Sequence, residues 1–249
     1  MHLARLEEAY ANVIPARVSF LHDGWLVRIT NGDGNNNNSV WPFGTGTLPV
    51  ASKVDFLEQL YHERGHVARF RLTSFGDHEA LTRELTIRGY VEDNPNWVMV
   101  RDNAGNPVVL KKSPHANLTL VSLDDWRIAV NAMNPEADID DHWFRILSSI
   151  PVPHCFALIE QDGSPVSYGR ALVQQDIVNL EELWTLPEHR SHGHGSTLLH
   201  GLLSFGREHG SERAFLAVNE DNQRATALYE RFGFAKQYRY HYMVPPQVS

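Results

Sequence analysis

The feature that most restricts how this chain can fold lies at residues 183–196, Leu183-Trp184-Thr185-Leu186-Pro187-Glu188-His189-Arg190-Ser191-His192-Gly193-His194-Gly195-Ser196. A strand-like run ends at a proline, a short basic loop holds glycines two apart, and a helical pattern starts at once with Leu198, Leu199, Leu202 and Leu203 on its apolar face. A loop of this kind presents consecutive backbone N–H groups at the positive end of a helix, and Gly193 and Gly195 carry no β-carbon to obstruct close approach. It is suited to a phosphate or pyrophosphate, with Arg190 adding a charge-assisted contact. The triphosphatase signature GxxxxGK[ST] is absent, and no GxGxxG followed by a ribose-binding acid appears, so the usual nucleotide loops do not account for it.

Composition narrows the remaining classes. At 249 residues, folding buries roughly 70–75% of the chain's surface, so a core needs neither disulfides nor a structural metal. The single cysteine, Cys155, forms no intramolecular bridge and reads as a buried strand residue in a reducing compartment. A formal charge of −8 has the wrong sign for gripping nucleic acid or anionic lipid, so neither is an expected partner. That charge suits a cationic small substrate, and it serves solubility equally well. No apolar run approaches membrane-spanning length and the N-terminus has no targeting pattern, so a cytoplasmic protein is expected.

Periodicity predicts an opening helix over 3–14 and two strands, 16–20 and 25–30, joined at His22-Asp23-Gly24. Asn31-Gly32-Asp33-Gly34 and the four asparagines Asn35 to Asn38 read as a surface loop with nothing to bury. A helix over 50–65, a strand over 67–72, a helix over 77–89 and a strand over 90–100 follow. Turn-rich residues 101–107 and the polar Lys111-Lys112-Ser113-Pro114 place a domain boundary near 113, giving domains 1–112 and 113–249. The second half reads as a strand (118–121), helices (123–134 and 138–149), three strands (155–160, 166–173 and 177–186), a helix (194–209), a strand (213–218), a helix (221–232) and a strand (234–243). This alternation is an α/β pattern with a mixed sheet. Arg88-Gly89-Tyr90 with Met99-Val100, and Phe232-Gly233-Phe234 with Met243-Val244, keep the same nine-residue step from aromatic to methionine after the same element order. Two related domains in tandem are expected.

Arg190-x-x-Gly193-x-Gly195 at a strand-to-helix junction resembles the acyl-CoA pyrophosphate loop of the GNAT superfamily of N-acetyltransferases. The segment Ala217-Val218-Asn219-Glu220-Asp221-Asn222-Gln223-Arg224-Ala225-Thr226-Ala227-Leu228-Tyr229-Glu230-Arg231-Phe232-Gly233-Phe234 resembles that superfamily's next segment, in the right order and at the right separation. The resemblance covers residues 118–243. It implies two tandem GNAT-like domains, each a mixed, mostly antiparallel sheet flanked by helices.

The resemblance also implies roles. The backbone amides of Arg190, Ser191, His192, Gly193, His194, Gly195 and Ser196 bind the CoA pyrophosphate, and the strand at Leu183, Trp184 and Thr185 pairs with the pantetheine arm. Asn222 bonds the cofactor arm, and Tyr229 protonates the departing thiolate, chemistry suited to a phenol. Acetyl passes directly from acetyl-CoA to an amine through a tetrahedral oxyanion stabilised by a backbone N–H near Leu183. For the base, strict alternation along 177–186 puts Glu181 on one face with Asn179 and Leu183, and Glu182 on the other with Leu180 and Trp184. The resemblance selects Glu181.

Each residue also has a plainer reading. Tyr229 shares an apolar stripe with Ala225, Leu228 and Phe232 and could simply pack, and Asn222 could serve only as a helix cap. His189, His192, His194 and His200 lack metal-ligand spacing, so no metal is expected, and His192 and His194 read as lining of the anion loop. Ser196 has no Gly-x-Ser-x-Gly elbow around it. In the first half Leu85 falls where Tyr229 stands and His78 where Asn222 stands, and Trp41-Pro42-Phe43-Gly44-Thr45-Gly46-Thr47 has paired glycines with no arginine ahead of them. This reads as a degenerate domain that shapes a substrate cleft, with Trp41 and the asparagine loop as lining or as plain surface. The expected activity is acetylation of a primary amine of a small molecule. The alternatives are a non-catalytic acyl-CoA-binding or regulatory module, and a protein N-acetyltransferase. A monomer or homodimer is expected, with Tyr238, Tyr240 and Tyr242 on the last strand offering aromatics for a contact.

Overall fold

The computed structural model describes residues 3–31, 35–102 and 117–246. In chain order it contains α1 (Leu3–Val13), β1 (Val18–His22), β2 (Trp25–Ile29), β3 (Val40–Pro42), α2 (Val50–His62), β4 (Phe70–Thr73), α3 (Glu79–Ile87) and β5 (Val91–Asp102). There follow β6 (Asn117–Val121), α4 (Leu123–Met133), α5 (Asp141–Ser148), β7 (His154–Gln161), β8 (Ser164–Gln174), β9 (Ile177–Thr185), α6 (His194–Glu208), β10 (Arg213–Asn219), α7 (Gln223–Arg231) and β11 (Ala235–Val244). The architecture is mixed α/β, as the alternation of elements predicts. Two compact units emerge: Met1–Val98 with Asn219–Asp221 and Gln237–Ser249, and Met99–Val218 with Asn222–Lys236. The boundary expected near residue 113 lies outside the described residues.

In the first unit the strands run in the order β1-β2-β3-β4-β11. β1 and β2 form a hairpin closed at Asp23-Gly24, and both turn residues have positive φ, the geometry that matches strand twist. β3 lies antiparallel to β2 and meets β4 in parallel at Val40 and Phe70, while β11 pairs antiparallel with β4 from Tyr240↔Thr73 to Met243↔Phe70. Val54, Leu57 and Tyr61 of α2 and Leu81 and Leu85 of α3 pack with Trp25, Val27, Phe70 and Met243.

Three expectations fail here for one reason. Asn37 and Asn38 are buried, with the Asn36 carbonyl accepting from Arg28 and its side-chain oxygen from the Tyr242 hydroxyl. Trp41 is buried too, its indole N–H on Ser39 and its ring 4.2 Å from the Arg71 guanidinium. Tyr238, Tyr240 and Tyr242 face inward rather than offering a contact surface. Asn36, Trp41, Tyr240 and Tyr242 touch two buried arginines, Arg28 and Arg71, and Tyr238 bonds the Glu7 carboxylate that pairs with Arg71. A buried guanidinium must have its donors satisfied, and oxygens and aromatic faces of the loop, β3 and β11 are recruited to do it.

The second unit carries the strand order β6-β7-β8-β9-β10, antiparallel except where β10 runs parallel to β9. α4 and α6 cover opposite faces. Trp126 of α4 packs its ring 5.7 Å from Tyr168, whereas a β-carbon on the next residue, Gly169, would touch Leu198 and Leu202 of α6. Cys155 is buried and its thiol is pushed up to about 12 by that burial, an inert environment.

The internal repeat has a structural counterpart in the two helix ends. Gly89 N–H bonds Thr86 and Tyr90 N–H bonds Leu85, while Gly233 N–H bonds Glu230 and Phe234 N–H bonds Tyr229. Each helix is thus closed by the same backbone cap before an aromatic enters the sheet.

Candidate functional site

The site begins with an irregularity in β9. Its register against β8 shifts between Arg170↔Glu181 and Tyr168↔Trp184, so Gly169 alone faces both Glu182 and Leu183, and Glu182 takes φ 56°. This is a bulge, and it overturns the strict alternation expected along 177–186. Glu181 and Trp184 stand opposite Arg170 and Tyr168 on one face, Trp184 stacking 5.3 Å from Tyr168, and Leu183 turns toward Gly169 and α6. Along the other edge, the ladder with β10 runs only from Ile177↔Arg213 to Asn179↔Phe215. β9 continues six residues beyond it, and its last three, Leu183, Trp184 and Thr185, line a cleft.

After a single 3-10 turn at Pro187–His189, Arg190 folds back to donate from Nε to the Thr185 carbonyl at 3.0 Å. Gly193, at φ 88°, sits in the left-handed region that favours glycine and starts α6. Among the described residues, the backbone N–H groups of Ser191 through Ser196 find no hydrogen-bond acceptor. Across from them is α7. Its cap residue Asn222 accepts from Ala225 N–H at 3.1 Å, so the plainer capping role is realised while the residue also borders the cleft.

One cleft of about 800 Å³ brings together Leu183, Trp184, Thr185, Arg190, Ser191, His192, Gly193, His194, Gly195, Ser196, Asn222 and Tyr229. It adds residues the sequence reading did not assign to the site: His189, Leu198, Arg224, Ala225, Leu228 and Arg231. Arg224, Leu228 and Arg231 are spaced i, i+4, i+7 along α7, a helical-face signal present in the sequence. Three arginines and three histidines therefore line the cleft, and among the described residues no Asp or Glu does. In a chain of net charge −8, this is a local reversal of sign.

Tyr229 is 7% exposed, and its phenol is pushed up to about 12 by burial and by the charge of Glu181, so it holds its proton at neutral pH. Glu181 is half-buried and does not itself line the cleft. Glu182 pairs with the buried Arg170 at 3.3 Å. His194 is 1% exposed with both ring nitrogens lacking a partner, and its rings neighbours are His189 and His192 at 6.1 and 6.2 Å. Burial, reinforced by those two histidines, lowers its pKa. Among the described residues, no three His, Cys, Asp or Glu side chains are placed to hold a metal ion, and no helix is long and apolar enough to cross a membrane.

Comparison with known proteins agrees with this arrangement. A family model described as probable histone acetyltransferase Rv0428c, C-terminal, matches residues 2–243. The uncharacterised N-acetyltransferase YobR of Bacillus subtilis is 27% identical over 97% of this chain and 98% of its own. A GCN5-related N-acetyltransferase from Kribbella flavida superposes with a TM-score of 0.75 at 16% identity, covering 99% of this chain and 95% of that one. A tandem GNAT protein from the clavulanic acid biosynthesis pathway gives 0.67 at 12% identity, over 84% and 76% of the two chains. The chain belongs to the family of the Rv0428c C-terminal region, and with it to the GNAT superfamily of N-acetyltransferase enzymes.

Proposed function

We propose that the cleft binds acetyl-CoA and that the chain transfers its acetyl group directly to a primary amine of a small molecule. The observation that carries this reading is the row of N–H groups without acceptors from Ser191 to Ser196, in residues that line a cleft with three arginines, three histidines and, among the described residues, no Asp or Glu. Such a lining suits a diphosphate, and Gly193 and Gly195 leave room for it beside the backbone. The volume of about 800 Å³ suits a ligand with a nucleotide at one end and an extended arm.

When bound, acetyl-CoA supplies the acetyl thioester. The roles we assign to the protein's own residues are these. The end of β9, past its ladder with β10, offers backbone groups to an extended arm, as an exposed strand edge does. A backbone N–H near Leu183, in the bulge, stabilises negative charge developing on the acyl oxygen. Glu181, directly or through a water, takes the proton that the amine gives up as its nitrogen bonds to the acyl carbon. Tyr229, protonated at neutral pH, gives a proton to the sulfur as the carbon–sulfur bond breaks.

Calorimetric titration with acetyl-CoA tests the first half of this reading, with Gly193→Glu as control because it puts bulk, charge and an unfavourable φ into the loop. Binding in the wild type and none in the folded control supports it, and no binding by the wild type overturns it. A panel of small amines beside lysine-containing peptides tests the second half. Turnover on the peptides alone would move the acceptor to a protein, the reading favoured by the description of the matched family model. Binding with no turnover on either would leave an acyl-CoA-binding module.

A further inference from the structure

The first unit has its own loop with glycines two apart ahead of a helix, Gly44-Thr45-Gly46-Thr47-Leu48 before α2, and this loop already holds an anion. The carboxylate of Asp23, in the β1–β2 turn, accepts from Thr47 N–H at 2.9 Å, from Leu48 N–H at 2.8 Å and from the Thr47 hydroxyl at 3.1 Å. Lys53, on the first turn of α2 and fully buried, brings its ammonium to 3.3 Å from the same carboxylate while donating to the Thr45 carbonyl at 2.7 Å. A β-carbon on Gly46 would run into the Asp23 carboxylate, so the glycine is what lets an anion lie against this backbone. Two loop N–H groups, a hydroxyl and a buried cation converging on two oxygens are the groups a phosphate would use.

We propose that Asp23 is a built-in anion that closes the first unit's loop to phosphate-bearing ligands, so that the chain takes one CoA, in the second unit. This rests on the reading of the second unit's cleft as the CoA site. The contrast between the two loops is direct. Among the described residues, the N–H groups from Ser191 to Ser196 lack acceptors, whereas Thr47 and Leu48 have theirs taken. The carboxyl of Asp23 is correspondingly held well below the usual carboxylate range by the Leu48 and Thr47 N–H groups.

The test compares the full-length wild type with Asp23→Gly, a change suited to the positive φ of that turn residue. Titrated with inorganic pyrophosphate, the variant is expected to bind one more equivalent than the wild type, because it leaves a buried ammonium and two loop donors facing an empty position. A folded variant with no added site overturns the proposal. Titrated with acetyl-CoA, the wild type is expected to bind one equivalent, and two would overturn the proposal. None would overturn the cofactor reading instead, leaving the pyrophosphate difference to decide on Asp23. Should Asp23→Gly fail to fold, the wild-type Asp23 carboxyl followed by NMR decides: titration well below the ordinary value of about 3.9 supports the closure, and titration at that value sinks it.

Discussion

Arg224 on α7 donates from Nη2 to the hydroxyl of Ser191, in the loop ahead of α6, at 3.1 Å, and so ties the two walls of the cleft together. With Arg190 and Arg231 it supplies the fixed positive charge there. Arg224→Gln is expected to weaken acetyl-CoA binding about 10-fold, the size of one charge-assisted contact, with kcat at saturation little changed. Salt titration of Kd checks the origin, since the variant should show a shallower dependence than the wild type.

Tyr229→Phe removes the proposed proton donor and keeps the ring that packs 6.1 Å from Phe234. A fall in kcat of about 10²-fold or more is expected, with acetyl-CoA affinity held within a few-fold. Because the phenol sits at about 12, it does not limit the wild-type rate on the alkaline side below roughly pH 11. Unchanged turnover in the variant would leave Tyr229 with only its packing role.

The bulge sets the two neighbouring carboxylates apart: Glu182 pairs with buried Arg170, and Glu181 is the proposed base. Glu181→Gln is expected to lower kcat by about 10²-fold and to shift its pH profile. Glu182→Gln weakens the pair with buried Arg170 and should cost about 1–3 kcal/mol in urea unfolding with a much smaller effect on turnover. Interchanged results would move the base to Glu182.

His194 is expected to couple acetyl-CoA binding to protons. Its lowered pKa leaves it neutral at pH 7 in the free protein, and a diphosphate beside it would favour the charged form, so binding takes up a proton. Affinity for acetyl-CoA should therefore rise as pH falls from 8 to 6, and His194→Gln should flatten that slope, measured by titration across buffers of different ionisation enthalpy. Folding has the opposite sign. Below the unfolded value of about 6.5 the unfolded chain binds a proton that folded His194 resists, so its contribution to stability, complete above that pH, is lost as pH falls.

In the first unit, Glu7 holds buried Arg71 through two bonds of 2.8 and 2.9 Å and accepts from the Tyr238 hydroxyl at 2.5 Å. Glu7→Gln leaves that guanidinium without its countercharge and should cost about 3–5 kcal/mol, read as a lower urea midpoint.

The elements themselves were legible because they rest on local physics. The helical stripe of α6 and the strands β7 and β8 lie where the sequence pattern puts them, within a residue or two. The loop from Arg190 to Ser196 was legible because paired glycines between a strand and a helix have few other uses. β3 escaped notice because three residues are too short to show a period, and the asparagine run forms the turn its residue types indicate while its burial stayed hidden, because residue type alone does not tell what a turn packs against. Only the folded unit places Arg28 and Arg71 inside, and their unsatisfied donors then draw Asn36, Trp41 and the tyrosines of β11 inward. The bulge at Glu182 was equally hidden, since a single shifted residue depends on how β9 meets Gly169 and α6. Asp23 belongs to the same class. Its sequence marks a hairpin turn, and only the approach of a loop more than twenty residues away turns its carboxylate into the anion of that loop. Local pattern determined which elements form and where paired glycines lead into a helix; long-range packing decided which of those loops has its N–H groups taken, because satisfying buried polar groups is a property of the whole unit.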